Sequence, residues 1–147
     1  MTNAPTQTLC PLREPSRAAL LEALDDERSA EALYQAIIAR HGPIRPFVNI
    51  IESERRHQAR LLELFQRYQL PVPPAQPRNV ELAPTLEQEC RRAVAAERDN
   101  IAMYDRLLDA VREPDIRRVF ANLRAASRDN HLPAFERCAR RQRGRRR

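Results

Sequence analysis

Glu54-Arg55-Arg56-His57 lies inside a stretch, Phe47 to Tyr68, whose spacing decides the fold. Phe47, Ile50, Glu54, His57, Leu61, Leu64 and Tyr68 follow one another by three or four residues. Residues at that spacing share one face of a helix. The face is otherwise apolar and belongs in a core. A carboxylate and an imidazole placed there are costly unless something neutralises them. A metal ion does so, because ionised Glu and neutral His are both ligands.

Three further helical stripes supply partners. Leu20, Leu24, Glu27, Glu31, Tyr34 and Ile38 form the first. Leu86, Cys90, Ala93, Glu97, Ile101, Tyr104, Leu108 and Val111 form the third, and Ile116, Phe120, Leu123, Ser127, His131 and Phe135 the fourth. Each seam thus carries a candidate metal ligand: Glu27, Glu54 with His57, Glu97, and His131. Glu-x-x-His on an inward helix face is the pattern of di-iron and di-manganese carboxylate four-helix bundles.

Height along the bundle supports the same set. The first two helices are joined near Pro43, and Glu27 precedes it by nearly the stretch of chain by which His57 follows it, with Glu54 one turn nearer. The last two are joined near Glu113, and Glu97 precedes it by nearly the stretch by which His131 follows it. In an antiparallel hairpin, equal distances from the turn mean equal heights, at about 1.5 Å per residue. Both hairpins bring their polar seam residues to one level.

The chain predicts four helices. Ser16 is positioned to cap the first, which runs to about Arg40, where Gly42 and Pro43 end it. The second runs from about Pro46 to Gln69. Thr85 and Gln88 have capping-box spacing at the start of the third. Pro114 suits the start of the fourth, and Pro133 predicts a kink or an early end near His131. The link from Leu70 to Pro84 contains Pro71, Pro73, Pro74, Pro77 and Pro84. At about 3.1 Å per residue such a link spans a bundle end to end. The expected organisation is a flexible lead over 1–15, an all-α four-helix bundle over 16–139 with its crossover at 70–84, and an Arg-rich tail over 140–147.

Composition agrees. The chain has 147 residues, enough for one domain with a real core. Its 26 cationic residues are all Arg, which reads as a codon bias. From Glu136 onward there are seven Arg and one Glu, while the chain before Glu136 carries Arg and acidic residues in equal number. The net charge of +6 therefore belongs to the tail. Such a tail either contacts nucleic acid or another anionic surface or simply solubilises a helix end. Three cysteines argue against a disulfide framework. Cys90 and Cys138 fall at one level; two small buried side chains are favoured over a redox pair, and Cys10 is expected to be exposed. No segment reaches transmembrane length or forms a signal peptide, so the expected location is cytoplasmic.

The chain resembles a group of bacterial and archaeal ferritin-like domain proteins. The resemblance rests on Asp26-Glu27-Arg28-Ser29-Ala30 with Tyr34, on Pro46 to Ile50 leading to Glu54-Arg55-Arg56-His57, and on Leu61 to Pro73. Ala96-Glu97 with Asn100-Ile101-Ala102, and Asn130-His131-Leu132 with Ala134-Phe135, complete it. It implies a ferritin-like bundle of two antiparallel hairpins and a carboxylate-bridged di-iron site that reacts with oxygen or peroxide. One departure is plain: Arg128 stands three residues before His131, where a second Glu-x-x-His would have its carboxylate. Arg128 is expected either to weaken a second metal or to replace it in a salt-bridged core. Asn100 is a candidate weak ligand, whereas Asp129 should face away. Tyr34, Tyr68 and Tyr104 read as core-edge phenols, His41 as a helix-end cation, and Glu31 as exposed or outside the ligand set.

Two function classes follow. One is a redox protein holding iron or manganese on Glu27, Glu54, His57, Glu97 and His131, with ferroxidase- or oxidase-like chemistry. The other is a non-catalytic bundle that meets an anionic partner through its Arg tail. A homodimer is compatible with either.

Overall fold

A computed structural model of the chain describes residues 11–145; the expectation for Cys10 falls outside them. The regular structure among the described residues is entirely helical, with no strand. Helix α1 spans Glu14–His41, α2 Phe47–Arg67 and α3 Leu86–Ala110. A fourth rod is built from α4 (Pro114–Ala126), a π-helical turn (Ser127–His131) and α5 (Leu132–Gly144). No helix among them is long and apolar enough to cross a membrane.

Local signals account for most helix ends. Thr85 and Gln88 form the expected capping box. Gly42 ends α1 at φ +87, a backbone region disfavoured for residues with a Cβ, and its N–H returns to the Ile38 carbonyl at 2.8 Å. Ser16 is not the cap. Helix α1 begins two residues earlier with Pro15 in its first turn, and the Ser16 hydroxyl donates to Glu113 at 2.6 Å instead. The bond ties the start of α1 to the α3–α4 junction.

The Pro-rich link crosses the bundle along α1. Arg28 donates to the Pro73 carbonyl at 2.9 Å, Arg78 to Ser29 at 2.6 Å, and Arg40 to the Ala83 carbonyl at 2.9 Å. The chain thus passes from the middle of α1 to its C-terminal end before α3 starts. Helix α3 then runs back against α1, with Arg13 reaching the Ala110 carbonyl at 3.3 Å. Arg67 of α2 meets Asp115 at the start of α4 at 2.9 Å. The result is two antiparallel hairpins joined by one long crossover. Helix α1 packs mainly on α2, and α3 on α5 and α4, whereas α2 and α4 touch only sparingly.

The apolar core is divided. One cluster, with Leu20, Leu24, Leu61, Phe65, Tyr104 and Phe120, fills the end near the α3–α4 turn. The other, with Tyr34, Ile37, Phe47, Cys90, Phe135 and Cys138, fills the opposite end. Between them lies a layer of buried polar side chains. Cys90 and Cys138 are buried as expected, but they are joined in a disulfide, which corrects the expectation of two free thiols. The bond pins α3 to α5 across 48 residues of sequence.

Candidate metal centre

The polar layer holds Glu27, Glu54, His57, Glu97 and His131, with exposures of 0%, 2%, 6%, 2% and 3%. They come from α1, α2, α3 and the π turn. Two trios of ligand atoms form, Glu27–Glu54–His57 and Glu54–Glu97–His131, each with its atoms within 4.8 Å of one another. Glu54 belongs to both. Its Oε2 lies 3.4 Å from His57 Nδ1 and its Oε1 3.2 Å from His131 Nδ1. The outer carboxylates complete the row: Glu27 Oε2 is 3.4 Å from His57 Nδ1, and Glu97 Oε1 is 3.4 Å from His131 Nδ1. The two imidazoles stack at 5.4 Å between centroids and 16° between planes.

His131 Nδ1 is buried and aligned with neither neighbouring carboxylate as a hydrogen bond, although both oxygens are close. An orphaned nitrogen between two carboxylates has the orientation of a metal ligand. The donor set also suits a hard or borderline divalent cation. The buried Glu and His residues could therefore hold a metal ion.

Electrostatics point the same way. Burial opposes a charged imidazole, but hydrogen bonds and attraction from Glu27 and Glu54 outweigh it and push His57 up to about 9. Burial is likewise outweighed at His131 by Glu54 and Glu97, which push it up to about 10. Burial, then the neighbouring Glu54, raises Glu27 to about 7. Burial also disfavours ionised Glu54, yet the close approach of Glu27, His131 and His57 holds it below the usual carboxylate range. Protons thus gather where three carboxylates converge, as any available cation would.

An outer ring holds the ligands in place. Tyr34 donates to Glu97 at 2.8 Å and Tyr104 to Glu27 at 2.6 Å. Both phenols are fully buried, not at the core edge, and burial followed by the glutamate charges raises them well above their ordinary value. The pairs are crossed: each tyrosine lies seven residues after the glutamate on its own helix and bonds the one on the other. Because α1 and α3 run antiparallel, Glu27 lies opposite Tyr104 and Tyr34 opposite Glu97. Tyr68, partly buried, instead donates to Asp115 at 2.7 Å.

Ser53 serves both histidines. Its Oγ is 3.3 Å from His57 Nε2 and 2.9 Å from His131 Nε2. With Nδ1 of each ring turned to the carboxylates, each Nε2 faces this one oxygen, and an Nε2–H on either ring donates to it. The Asn100 amide is engaged in hydrogen bonds at the edge of the cluster. Its Nδ2 donates to Asp26 at 2.7 Å and lies 3.5 Å from Glu27, while its Oδ1 accepts from Ser127 at 2.7 Å. Burial, partly offset by that Asn100 bond, raises Asp26 to about 6.

The π turn resolves the position before His131. Its wider winding turns Ser127 and His131 inward and leaves Arg128, Asp129 and Asn130 exposed. Arg128 pairs with Asp129 on the surface, its Nε 2.9 Å and its Nη2 3.2 Å from the carboxylate oxygens. The guanidinium lies outside the buried cluster, which corrects the expectation that it enters the core. Pro133 does not end the rod, because the Leu132 N–H bonds five residues back to Ser127 and α5 continues to Gly144. Glu31 stays outside the cluster, bonded to Arg55 at 3.3 Å and Gln58 at 3.2 Å.

Several of these roles carry no sequence signal in isolation. Ser53 is off the apolar stripe, and Ser127, although on it, gives no sign of bonding Asn100. The equal seven-residue spacings of Glu27–Tyr34 and Glu97–Tyr104 are the signal that would have found the tyrosines.

Known proteins share this architecture. Hypothetical protein MJ0754 of Methanococcus jannaschii superimposes with a TM-score of 0.81 at 24% identity, over 96% of this chain and 87% of that one. A conserved hypothetical protein of Mycobacterium tuberculosis, rv2844, gives 0.72 at 16% identity, over 86% and 98%. At these identities the likeness concerns the fold. No curated protein matches the chain. A family described as "Uncharacterized protein domain (DUF2202)" matches residues 17–146, and the chain belongs to that family.

Proposed function

We propose that the protein is a ferritin-like metal-binding redox protein, holding two iron or manganese ions on Glu27, Glu54, His57, Glu97 and His131. The observation that carries this reading is the shared carboxylate: Glu54 offers one oxygen to each of two buried trios. Bound there, such ions supply electrons for the reduction of oxygen or peroxide. The chain's own contribution is positional. Tyr34 and Tyr104 fix the outer carboxylates, Ser53 fixes both imidazoles, and the two apolar clusters exclude water from above and below. The ligands thus converge with little freedom to collapse onto one another.

A salt-bridged core without metal is less well supported. The guanidinium that would neutralise it, Arg128, points into solvent. Metal analysis of protein purified without chelator, followed by anaerobic ferrous titration and exposure to oxygen, tests the reading. Two metals per chain and an absorption change on oxygenation are expected. No metal after ferrous loading would reject it.

A further inference from the structure

The sparse contact between α2 and α4 leaves a cleft of about 440 Å³, within the usual range for a small-molecule site. Its charge is one-sided. Arg56, Arg60 and Arg67 of α2 and Arg118 of α4 line it, against Glu63 and Asp115. Asp115 is committed to Arg67 at 2.9 Å and to Tyr68 at 2.7 Å. Arg56, Arg60 and Arg118 have no ionic or hydrogen-bonding partner among the described residues. Arg56 and Arg60 are also one turn apart, a spacing at which like charges repel. The body of the chain before Glu136 is neutral overall, so this local excess of cations is not part of the tail's charge.

The cleft also reaches the metal centre's outer edge. Ser53 and His57 line it. Ser53 Oγ lies 3.3 and 2.9 Å from the two imidazole Nε2 atoms, and a hydroxyl has two acceptor positions for their N–H groups besides its one donor position. Its own proton is therefore free to be donated to an anion in the cleft. We propose that this α2–α4 cleft binds a small oxyanion, a phosphate or carboxylate, held by Arg56, Arg60 and Arg118 and touching the Ser53 hydroxyl. Guanidinium groups recognise both anions through paired N–H donors, so the shared chemistry is the oxyanion. The site stands independently of whether metal occupies the adjacent ligands.

Calorimetric titration of inorganic phosphate, and separately of succinate, into the full chain at low ionic strength tests the proposal. Both the as-purified and the chelator-treated protein are used, so a failure of metal binding and a failure of anion binding read out separately. Saturable binding near one per chain is expected in both forms, and the tighter probe identifies the source. Arg60→Ala with Arg118→Ala should weaken binding by at least about tenfold. Arg140→Ala with Arg141→Ala in the tail should leave it unchanged. Where the double alanine variant loses helicity, Arg60→Gln with Arg118→Gln replaces it with the same expectation. No saturation by about 10 mM, an affinity unaffected by the cleft variants, or a loss caused by the tail variant would overturn it. So would a shift from dimer to monomer in the cleft variants, which would make this face a self-interface.

Discussion

Glu54→Gln separates a shared ligand from an unshared one. The substitution keeps the side chain's shape and removes the charge that both histidines face. A structural divalent site built from four ligands is worth about 10–16 kcal/mol, or about 3 kcal/mol per ligand. At about 1.4 kcal/mol per tenfold, losing one ligand weakens a position by about a hundredfold. Glu54 supplies an oxygen to both trios, so both positions should weaken by that factor. Glu97→Gln removes a ligand from the His131 trio alone and should leave one metal near wild-type affinity. The metal-free Glu54→Gln chain should also lose about 1–3 kcal/mol, since each imidazole keeps only its outer carboxylate. That corresponds to a fall in melting temperature of about 3–10 °C. Metal stoichiometry by elemental analysis, competition titration and circular dichroism provide the readouts. Two tightly bound metals in Glu54→Gln, or equal losses at both positions in Glu97→Gln, would refute the shared-carboxylate geometry.

Arg128→Glu should leave metal stoichiometry and melting temperature unchanged, because the side chain is half exposed and pairs only with Asp129; elemental analysis and thermal melting check it. Ser53→Ala should weaken metal binding by about 10–100-fold with helicity intact, as expected for a group that orients two ligands; competition titration measures it. In the metal-free chain His57 and His131 titrate near 9 and 10, above their unfolded value of 6.5, so their stabilisation is complete below pH 6.5 and lost as pH rises through 9 and 10. Melting temperature should fall over that interval without metal, and metal binding at pH 7 should release about two to three protons, read by calorimetry in buffers of different ionisation enthalpy. Replacing Cys90 and Cys138 by serine should cost up to about 4 kcal/mol in denaturant unfolding, from the 48-residue loop that the disulfide closes.

The sequence by itself determined the helices, the long crossover and the level at which polar residues gather. Apolar spacing, Pro-rich punctuation and distance from the turns are local or one-dimensional quantities, and Glu27, Glu54, His57, Glu97 and His131 were legible from them. Only the tertiary structure decided which atoms meet. The crossed pairs Tyr34–Glu97 and Tyr104–Glu27 depend on how α1 and α3 register against each other. The outward turn of Arg128 depends on a π-helical turn, whose wider winding keeps Ser127 and His131 inward while Arg128 to Asn130 face solvent. Ser53 joins His57 to His131, half the chain away in sequence, only because α2 and the fourth rod pack side by side. Helix periodicity assigns a residue to a face, but the partner on the facing helix is set by the rotation and offset of two packed rods, which no single stretch of sequence contains.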